Sequence, residues 1–427
     1  MSAPITTTQR SFNNMLNEYI TNDLMSEALL KRDWFIQNVP KDNGWKGGTI
    51  PVPFYGTKAS SIRLGALTDE NDVAKHKYVR GQILGYKEAW GTLKFEHGDL
   101  IDHDGAVNEK SFLKILPKQI DEFGDLMKEQ MSKMLLTGAT VCKFVNVTDA
   151  VNGKVIVDRV DRLVLDQKVE VIDDNTAAVA GYIRSIDLNT SEVVIFDART
   201  GGAAVDLTNY TVGQNGRLTF DGGSSGTYAF SNLRDMLLSQ ANGGSATLYG
   251  QNKLLYPYLQ AINISAASAG YLPGPANVAT VKLSIFNAYN EIRKKARGNA
   301  NTVLMSFKHL GSLMASLEDQ KGAFKVTATT EKASLYGWTE IVINSVRGTL
   351  KVVGIQEMDD DIIMFLDMEA VMYYSNGELI RKRVAPDGKQ YYEKRNTDGY
   401  FYLLDMAALG ELVLLAPTKC GIMYGIT

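Results

Sequence analysis

Leu116–Gly138 reads LPKQIDEFGDLMKEQMSKMLLTG, and its reading decides the fold. Leu116, Ile120, Phe123, Met127, Gln130/Met131 and Met134 recur at three- and four-residue steps, the spacing of one face of an α-helix. Pro117 suits the first helical position, where a missing N–H costs nothing, and Gly138 suits the left-handed position just past the end. At about 1.5 Å per residue the rod is roughly 30 Å long. Gly124 should weaken or bend it by about 1 kcal/mol relative to Ala. The opposite face carries Lys118, Asp121, Glu122, Asp125, Lys128, Glu129 and Lys133. A narrow apolar stripe under so charged a back predicts a helix lying across something flat, not one enclosed by a core. The rest of the chain is organised around this spine.

The chain has 427 residues, length for two to three domains with sizeable cores. Its 45 Lys+Arg against 48 Asp+Glu leave a net charge of −3, which argues against a strongly basic nucleic-acid binder. Cys142 and Cys420, the only two cysteines, are too few for a disulfide framework or a Cys-based zinc site, and read as small buried side chains in a reducing compartment. No apolar run approaches the roughly 18 residues of a membrane span. Met1–Thr8 lacks the regions of a signal peptide, so a soluble protein of the cytoplasm, or of something assembled there, is expected.

Upstream of the spine, Ser11–Gln37 shows a weak helical pattern through Phe12, Met15, Tyr19, Met25, Leu29 and Leu30. Such an amphipathic arm packs on a partner or another domain. In Gly47–Gly56 two prolines flank Val52, which confines the stretch to an exposed or edge strand. Tyr78–Leu100 reads as extended, with Trp90, Leu93 and Phe95 among charged neighbours. Residues 49–104 thus read as a long strand pair with little apolar surface of its own. An isolated ribbon is marginal in water, so it must lie on another molecule or domain.

Downstream, residues 145–226 give short Val/Ile-rich runs: Lys154–Val157, Leu163–Leu165, Val169–Ile172, Ala178–Ile186 and Val193–Phe196. Turn signals at Asn152-Gly153, Gly201-Gly202, Asn215-Gly216 and Asp221-Gly222 separate them. This spacing predicts a small β-barrel or sandwich. Helices follow at Asn232–Gln240, Asn277–Gly298 and Lys308–Glu318, with strands at Asn301–Ser306, Trp338–Asn344, Thr349–Gly354, Asp361–Asp367 and Ala370–Tyr374. Glu378–Tyr402 carries a hairpin signature, and Leu409–Ala416 reads as the closing strand.

This order resembles the major capsid (coat) proteins of tailed bacteriophages, the Hong Kong 97-type fold. The residues that carry the resemblance are Gly48–Phe54 leading into Tyr78–Leu100, the spine Leu116–Gly138, Leu248-Tyr249-Gly250 with Pro257, and Tyr336–Ile341 followed by Met358–Asp367. The resemblance implies an α+β fold divided as follows: N-terminal arm 1–46, E-loop 47–108, peripheral-domain spine helix 109–144, axial domain 227–365, and peripheral-domain strands with the C-terminus at 366–427. The β-rich 145–226 lies outside the minimal family fold and is implied to be an insertion domain. The family's function would make the chain a non-enzymatic subunit of pentamers and hexamers that enclose double-stranded DNA in a virion, assembled in the host cytoplasm. Implied partners are further copies of the chain, a portal protein, a separate scaffolding protein, an optional decoration protein and DNA held by non-specific contacts. No cofactor and no membrane are expected. The separate scaffold follows because the arm and E-loop already occupy the residues ahead of the spine. No lysine–asparagine pair matches a cross-link. Candidate intersubunit contacts are Phe12, Tyr19, Trp34, Phe54, Trp90, Phe95, Arg381 and Arg383.

Chemistry is thinly represented. Glu96-His97-Gly98-Asp99 with Asp102-His103-Asp104 carries metal-ligand types, but its spacing fits no zinc motif, and a solvated hinge is the plainer reading. Gly222–Gly226 matches Gly-x-Ser-x-Gly around Ser224, yet only His309 follows it, so a glycine/serine linker is expected. Met358–Asp361 offers hard oxygens for calcium without the loop spacing, and reads as a solvated turn before a strand. Arg293–Arg297 and Arg381–Arg383 suit ion pairing between subunits or a solvated face. Trp34, Trp45, Trp90 and Trp338 read as packing anchors. Two alternatives remain: a monomeric binding protein using residues 145–226, or a hydrolase using His97 or Ser224.

Overall fold

The computed structural model describes residues 34–45, 48–57, 77–85, 87–96, 115–173, 178–210, 216–223, 230–271, 278–296, 300–318, 340–345, 348–382, 392–396 and 399–426. Helix α1 (Trp34–Asn38) and strand β1 (Lys41–Asp42) come first. Strands β2 (Ile50–Thr57) and β3 (Lys77–Ile83) then pair antiparallel as a two-stranded ribbon. Strand β4 (Lys87–Glu96) follows, but not as a continuation of β3. Gly85, at φ +72°, breaks the stretch read as one extended run, and β4 joins a different sheet.

The spine is helix α2, Ile115–Thr137, 23 residues long. Pro117 is its third described residue rather than its first, still within the turn whose N–H groups have no helical partner. Gly138 closes it at φ +95°, its N–H donating to the Met134 carbonyl at 3.0 Å, because only a residue without Cβ takes that conformation cheaply. The expectation of a helix lying across a flat surface holds for half of α2. Around Phe123 and Met127 the helix crosses β4, where a Cβ at Gly91 would stand 2.7 Å from the Phe123 ring and 2.9 Å from Met127 Sδ. From Met131 to Thr137 it sinks into the core, and Ser132, Lys133 and Thr137 are buried with Met131, Leu135 and Leu136. Lys133, read as solvent-facing, is inside.

Strands β5 (Thr140–Asp149), β6 (Lys154–Val157), β7 (Lys168–Ile172), β8 (Val179–Asp187), β9 (Glu192–Phe196) and β10 (Arg217–Phe220) close into a barrel in the order β10-β5-β6-β9-β8-β7. Its inward residues obey the two-residue period. Val155 and Val157, Val169 and Val171, and Val193 and Ile195 join Ile183 and Leu218 in a core that belongs to the barrel itself. The barrel begins at Thr140, ahead of the expected boundary at 145, and Leu163–Leu165 is no strand but follows a 3-10 turn at Val160–Arg162.

Next come α3 (Leu233–Leu237), the short pair β11 (Thr247–Leu248) and β12 (Gln251–Asn252), β13 (Ile262–Ser265), α4 (Ala266–Ala269), α5 (Val278–Ala296), β14 (Thr302–Met305) and α6 (Phe307–Glu318). After them run β15 (Glu340–Ser345), β16 (Gly348–Gly354), β17 (Ile362–Leu366), β18 (Val371–Ser375), β19 (Arg381–Lys382), β20 (Tyr392–Asn396), β21 (Gly399–Leu414) and β22 (Gly421–Tyr424). A mixed sheet takes the order β13-β22-β17-β14-β16-β15. Both its faces are covered, which explains the unbroken apolar run of β17. Ile362, Met364 and Leu366 face the core containing α1, α3 and the buried end of α2, while Ile363 and Phe365 face α5 and α6. The second sheet centres on β21, sixteen residues long, which pairs with β4 on one side and with β18, β19 and β20 on the other. Leu409–Ala416 is thus the end of a longer strand, and the closing strand is β22. It lies in the sheet of β13–β17, away from the other strands of 366–427.

The ribbon is not without core of its own chain. Val52, Phe54 and Ile83 are buried, Phe54 in edge contact with Tyr256, and Gln82 N–H donates to the Tyr249 carbonyl at 3.1 Å.

Candidate functional site

Two arrangements stand out, one on the surface and one inside. On the β21 sheet the register places Trp90 opposite Ala407 and Ala407 opposite Arg381. Directly paired residues share a face, so Trp90 and Arg381 flank Ala407 about 10 Å apart. Leu93, Leu404 and Met406 point to the other side, with Phe123 and Met127 of α2. Trp90 is 52% exposed, its Nε1 donating to Glu88 Oε2 at 2.9 Å, and Thr92 Oγ1 donates to Asp405 Oδ1 at 2.7 Å. Arg381 is half-buried and reaches Asn376 Oδ1 at 3.4 Å. Tryptophan and arginine side by side, with carboxylates at the rim, is the composition that dominates protein–protein binding energy.

Of the other candidate contacts, Phe54 is corrected: it is a core side chain of its own chain. Trp34 packs against the same core, with Lys351 Nζ 5.5 Å from its ring centroid. Phe12, Tyr19 and Arg383 lie outside the described residues, as does the side chain of Phe95, whose backbone pairs with Tyr402.

The internal arrangement corrects the reading of Met358–Asp361 as a solvated turn. Asp359 Oδ1 accepts from Lys133 Nζ and from Arg162 Nη1, both at 2.8 Å, and its Oδ2 accepts from Arg234 Nη1 at 3.0 Å. Asp361 Oδ2 accepts from Arg234 Nη2 at 2.7 Å and Lys143 Nζ at 3.2 Å. Arg162 Nη2 also donates to the carbonyls of Gln356, Glu357 and Met358. Burial opposes ionisation of Asp359, but the Lys133 and Arg162 charges and their hydrogen bonds outweigh it and hold the carboxyl far below the usual range. Burial pushes Lys133 down to about 8 against the pull of Asp359. With three cations already gathered on its two oxygens, Asp359 is a poor ligand for a further cation such as calcium. Sequence reasoning missed this cluster. Its one local signal was a lysine among the apolar side chains of Met131–Leu136, and the carboxylate that receives it, Asp359, lies 226 residues away.

Reaction chemistry finds little support. Among the described residues, no group of three or more His, Cys, Asp or Glu is placed to hold a metal ion, and no helix is long and apolar enough to cross a membrane. His97–Asp104 and Ser224 lie outside the described residues. His309 is buried between the Tyr271 hydroxyl at Nδ1, 2.8 Å, and the Asp360 carbonyl at Nε2, 2.6 Å, and burial lowers its pKa. Burial pushes the Cys142 thiol up and that of Cys420 to about 12, which leaves both unreactive. On α5, Arg293 lies over the Tyr289 ring and Lys295 pairs with Glu291, so this cationic turn is engaged within its own helix.

No protein-family model matches the chain, and no curated protein matches it. Among solved structures the chain is similar to the capsid of native GTA particles, 11% identical with TM-score 0.45 over 99% of this chain and 100% of that one. It is also similar to the capsid of Myoviridae phage XM1, 9% identical with TM-score 0.42 over 96% and 100%. Its similarity to the capsid asymmetric unit of cyanophage A-1(L) reaches a TM-score of 0.49 at 11% identity, over 96% of this chain and 94% of that one.

Proposed function

We propose that this chain is a major capsid subunit of the Hong Kong 97 type, which builds the icosahedral shell of a tailed bacteriophage from pentamers and hexamers. The observation that carries the reading is the ribbon. Strands β2 and β3 pair with each other and with no other strand among the described residues, and Tyr78 upon it stays 64% exposed. One face of the ribbon, with Val52, Phe54 and Ile83, lies on its own chain, and the other, with Tyr78, Arg80 and Gln82 exposed, is left open to a neighbouring copy in a closed shell. The spine α2, half on the β21 sheet and half in the core, fits the peripheral domain of such a subunit. The β13–β22 sheet with α5 and α6 fits the axial domain, and the barrel fits an insertion domain that stabilises or decorates the shell. Trp90 and Arg381 are the contacts assigned to assembly, with Phe12, Tyr19, Trp34, Phe95 and Arg383 as further contacts of the arm, β4 and the hairpin. The subunit works without catalysis, by many weak interfaces repeated by symmetry. Scaffolding, portal and decoration proteins are its partners, and DNA is held by diffuse contacts consistent with the net charge.

Electron microscopy of the purified chain, alone and with a co-expressed scaffolding protein, tests this. Closed shells or capsomer rings are expected. A uniform monomer under both conditions overturns the reading and leaves a binding protein built on the barrel.

A further inference from the structure

The barrel is joined to the rest of the chain in two ways that differ in kind. Its entering and leaving strands run together at one end. Phe220 N–H donates to the Ala139 carbonyl at 3.1 Å, and a Cβ at Gly223 would stand 2.8 Å from that of Ala139. Just before Ala139, Gly138 lies against the side chain of Asn232, which caps α3. Two paired strands of this sort form a tether about which a rigid body can turn.

The second junction is the charge cluster, reached from the 3-10 turn Val160–Arg162 and from β5. Arg159 Nη2 donates to the Gln356 carbonyl at 2.7 Å, and its Nε and Nη2 hold Asp161 at 3.0 and 3.1 Å. Asp161 in turn accepts from Gln356 Nε2 at 2.7 Å. Arg162 grips Asp359 and three successive carbonyls, and Lys143 reaches Asp361. The loop 356–361, which leads into β17, is therefore held by barrel side chains through polar contacts, while the barrel's core residues form a cluster separate from those of the two sheets. Polar contacts that span two separate cores fix orientation rather than fold.

We propose that this cluster is a clamp that sets the angle of the barrel to the β13–β22 sheet, so that opening it frees the barrel to swing about its tether while both bodies stay folded. Asp359 is the pin. It gathers one cation from the spine (Lys133), one from the barrel (Arg162) and one from α3 (Arg234). The clamp holds in the single chain and does not depend on the capsid reading.

The test uses the full-length chain with nitroxide labels at Val151→Cys on the barrel and Leu283→Cys on α5, both exposed, with Cys142 and Cys420 buried. Pulsed electron resonance reads the distance distribution, and hydrogen exchange of the barrel amides reads its integrity. One narrow distribution is expected for the parent. With Asp359→Asn its width should at least double while barrel protection factors stay within about threefold. An unchanged width overturns the clamp, and so does a parallel loss of barrel protection, which would make the cluster part of the barrel's fold. Should Asp359→Asn fail to fold, Arg159→Gln with Arg162→Gln carries the test, since these two side chains make the barrel turn's contacts to loop 356–361 and neither belongs to a core cluster. The same broadening is required of that pair, and a parental width or a second failure to fold overturns the proposal.

Discussion

Breaking the 2.8 Å contact between Lys133 and Asp359 should cost very different amounts depending on which side is removed. Asp359→Asn leaves Lys133, Arg162 and Arg234 around a neutral amide, with side-chain exposures of only 5%, 8% and 24% to relieve them. Removing one partner from a buried ionic group costs about 3–5 kcal/mol, a cost that falls on the body holding Lys133 and Arg234 and not on the barrel with its separate core. Lys133→Met removes a cation from among Met131, Leu135 and Leu136, and leaves Asp359 with Arg162 at 2.8 Å and Arg234 at 3.0 Å. Its desolvation cost disappears with the charge, so the loss should be about 0–1 kcal/mol. Linkage sharpens the contrast. The folded-state pKa of Lys133 is depressed from 10.5 to about 8, so between these values the unfolded chain holds a proton that the folded chain has released. Stability from this group therefore rises as pH climbs from 8 to 10.5 and is lost again as pH falls back to 8, a span of about 3 kcal/mol. Urea unfolding of the parent and both variants at pH 7 and pH 10 reads all of this. Asp359→Asn should lose most at pH 7, and the parent should gain on Lys133→Met at pH 10. Equal costs for the two variants at pH 7, or a parent-minus-Met difference that does not move with pH, would refute the reasoning.

Gly124 sits in α2 with open space where a Cβ would go, so Gly124→Ala should raise stability by about 1 kcal/mol, read as a melting point higher by about 1 °C. Burial raises the Glu411 pKa despite hydrogen bonds from the Ser231 and Leu412 N–H groups. An acid whose folded pKa is raised contributes stability below its unfolded pKa and loses it as pH rises through the folded value. Parent stability should thus fall relative to Glu411→Gln from pH 4.5 upward, and parallel stability–pH curves would count against this. Trp90→Ala should leave the unfolding free energy of the free chain within about 0.5 kcal/mol of the parent. If the β21 face is an assembly contact, the concentration needed for shell formation, read by sedimentation, should rise about tenfold or more.

The elements legible in the sequence are those whose signal is local. Gly138 stops α2, and Lys154–Val157 and Val193–Phe196 lie in strands, because period and turn chemistry act within a few residues. What stayed hidden depends on pairing across the chain. Nothing near Gly421 says that β22 runs between β13 and β17, because β22 is short and its partners begin about 160 and 60 residues earlier. Nothing near Trp90 says that Arg381 shares its face, since β21 supplies the register for both. The charged back of the spine misled for a related reason. A charge run is ordinarily a solvated face, and Lys128, with its own i,i+3 partner Asp125, obeys the rule. Lys133 departs from it because Asp359, Arg162 and Arg234 converge from three other segments to receive it. A lysine flanked by Met131, Ser132, Met134 and Leu135 was the clue that the polar face ends before the helix does. From that point the spine ceases to be a surface element and becomes the place where barrel, sheet and helix meet.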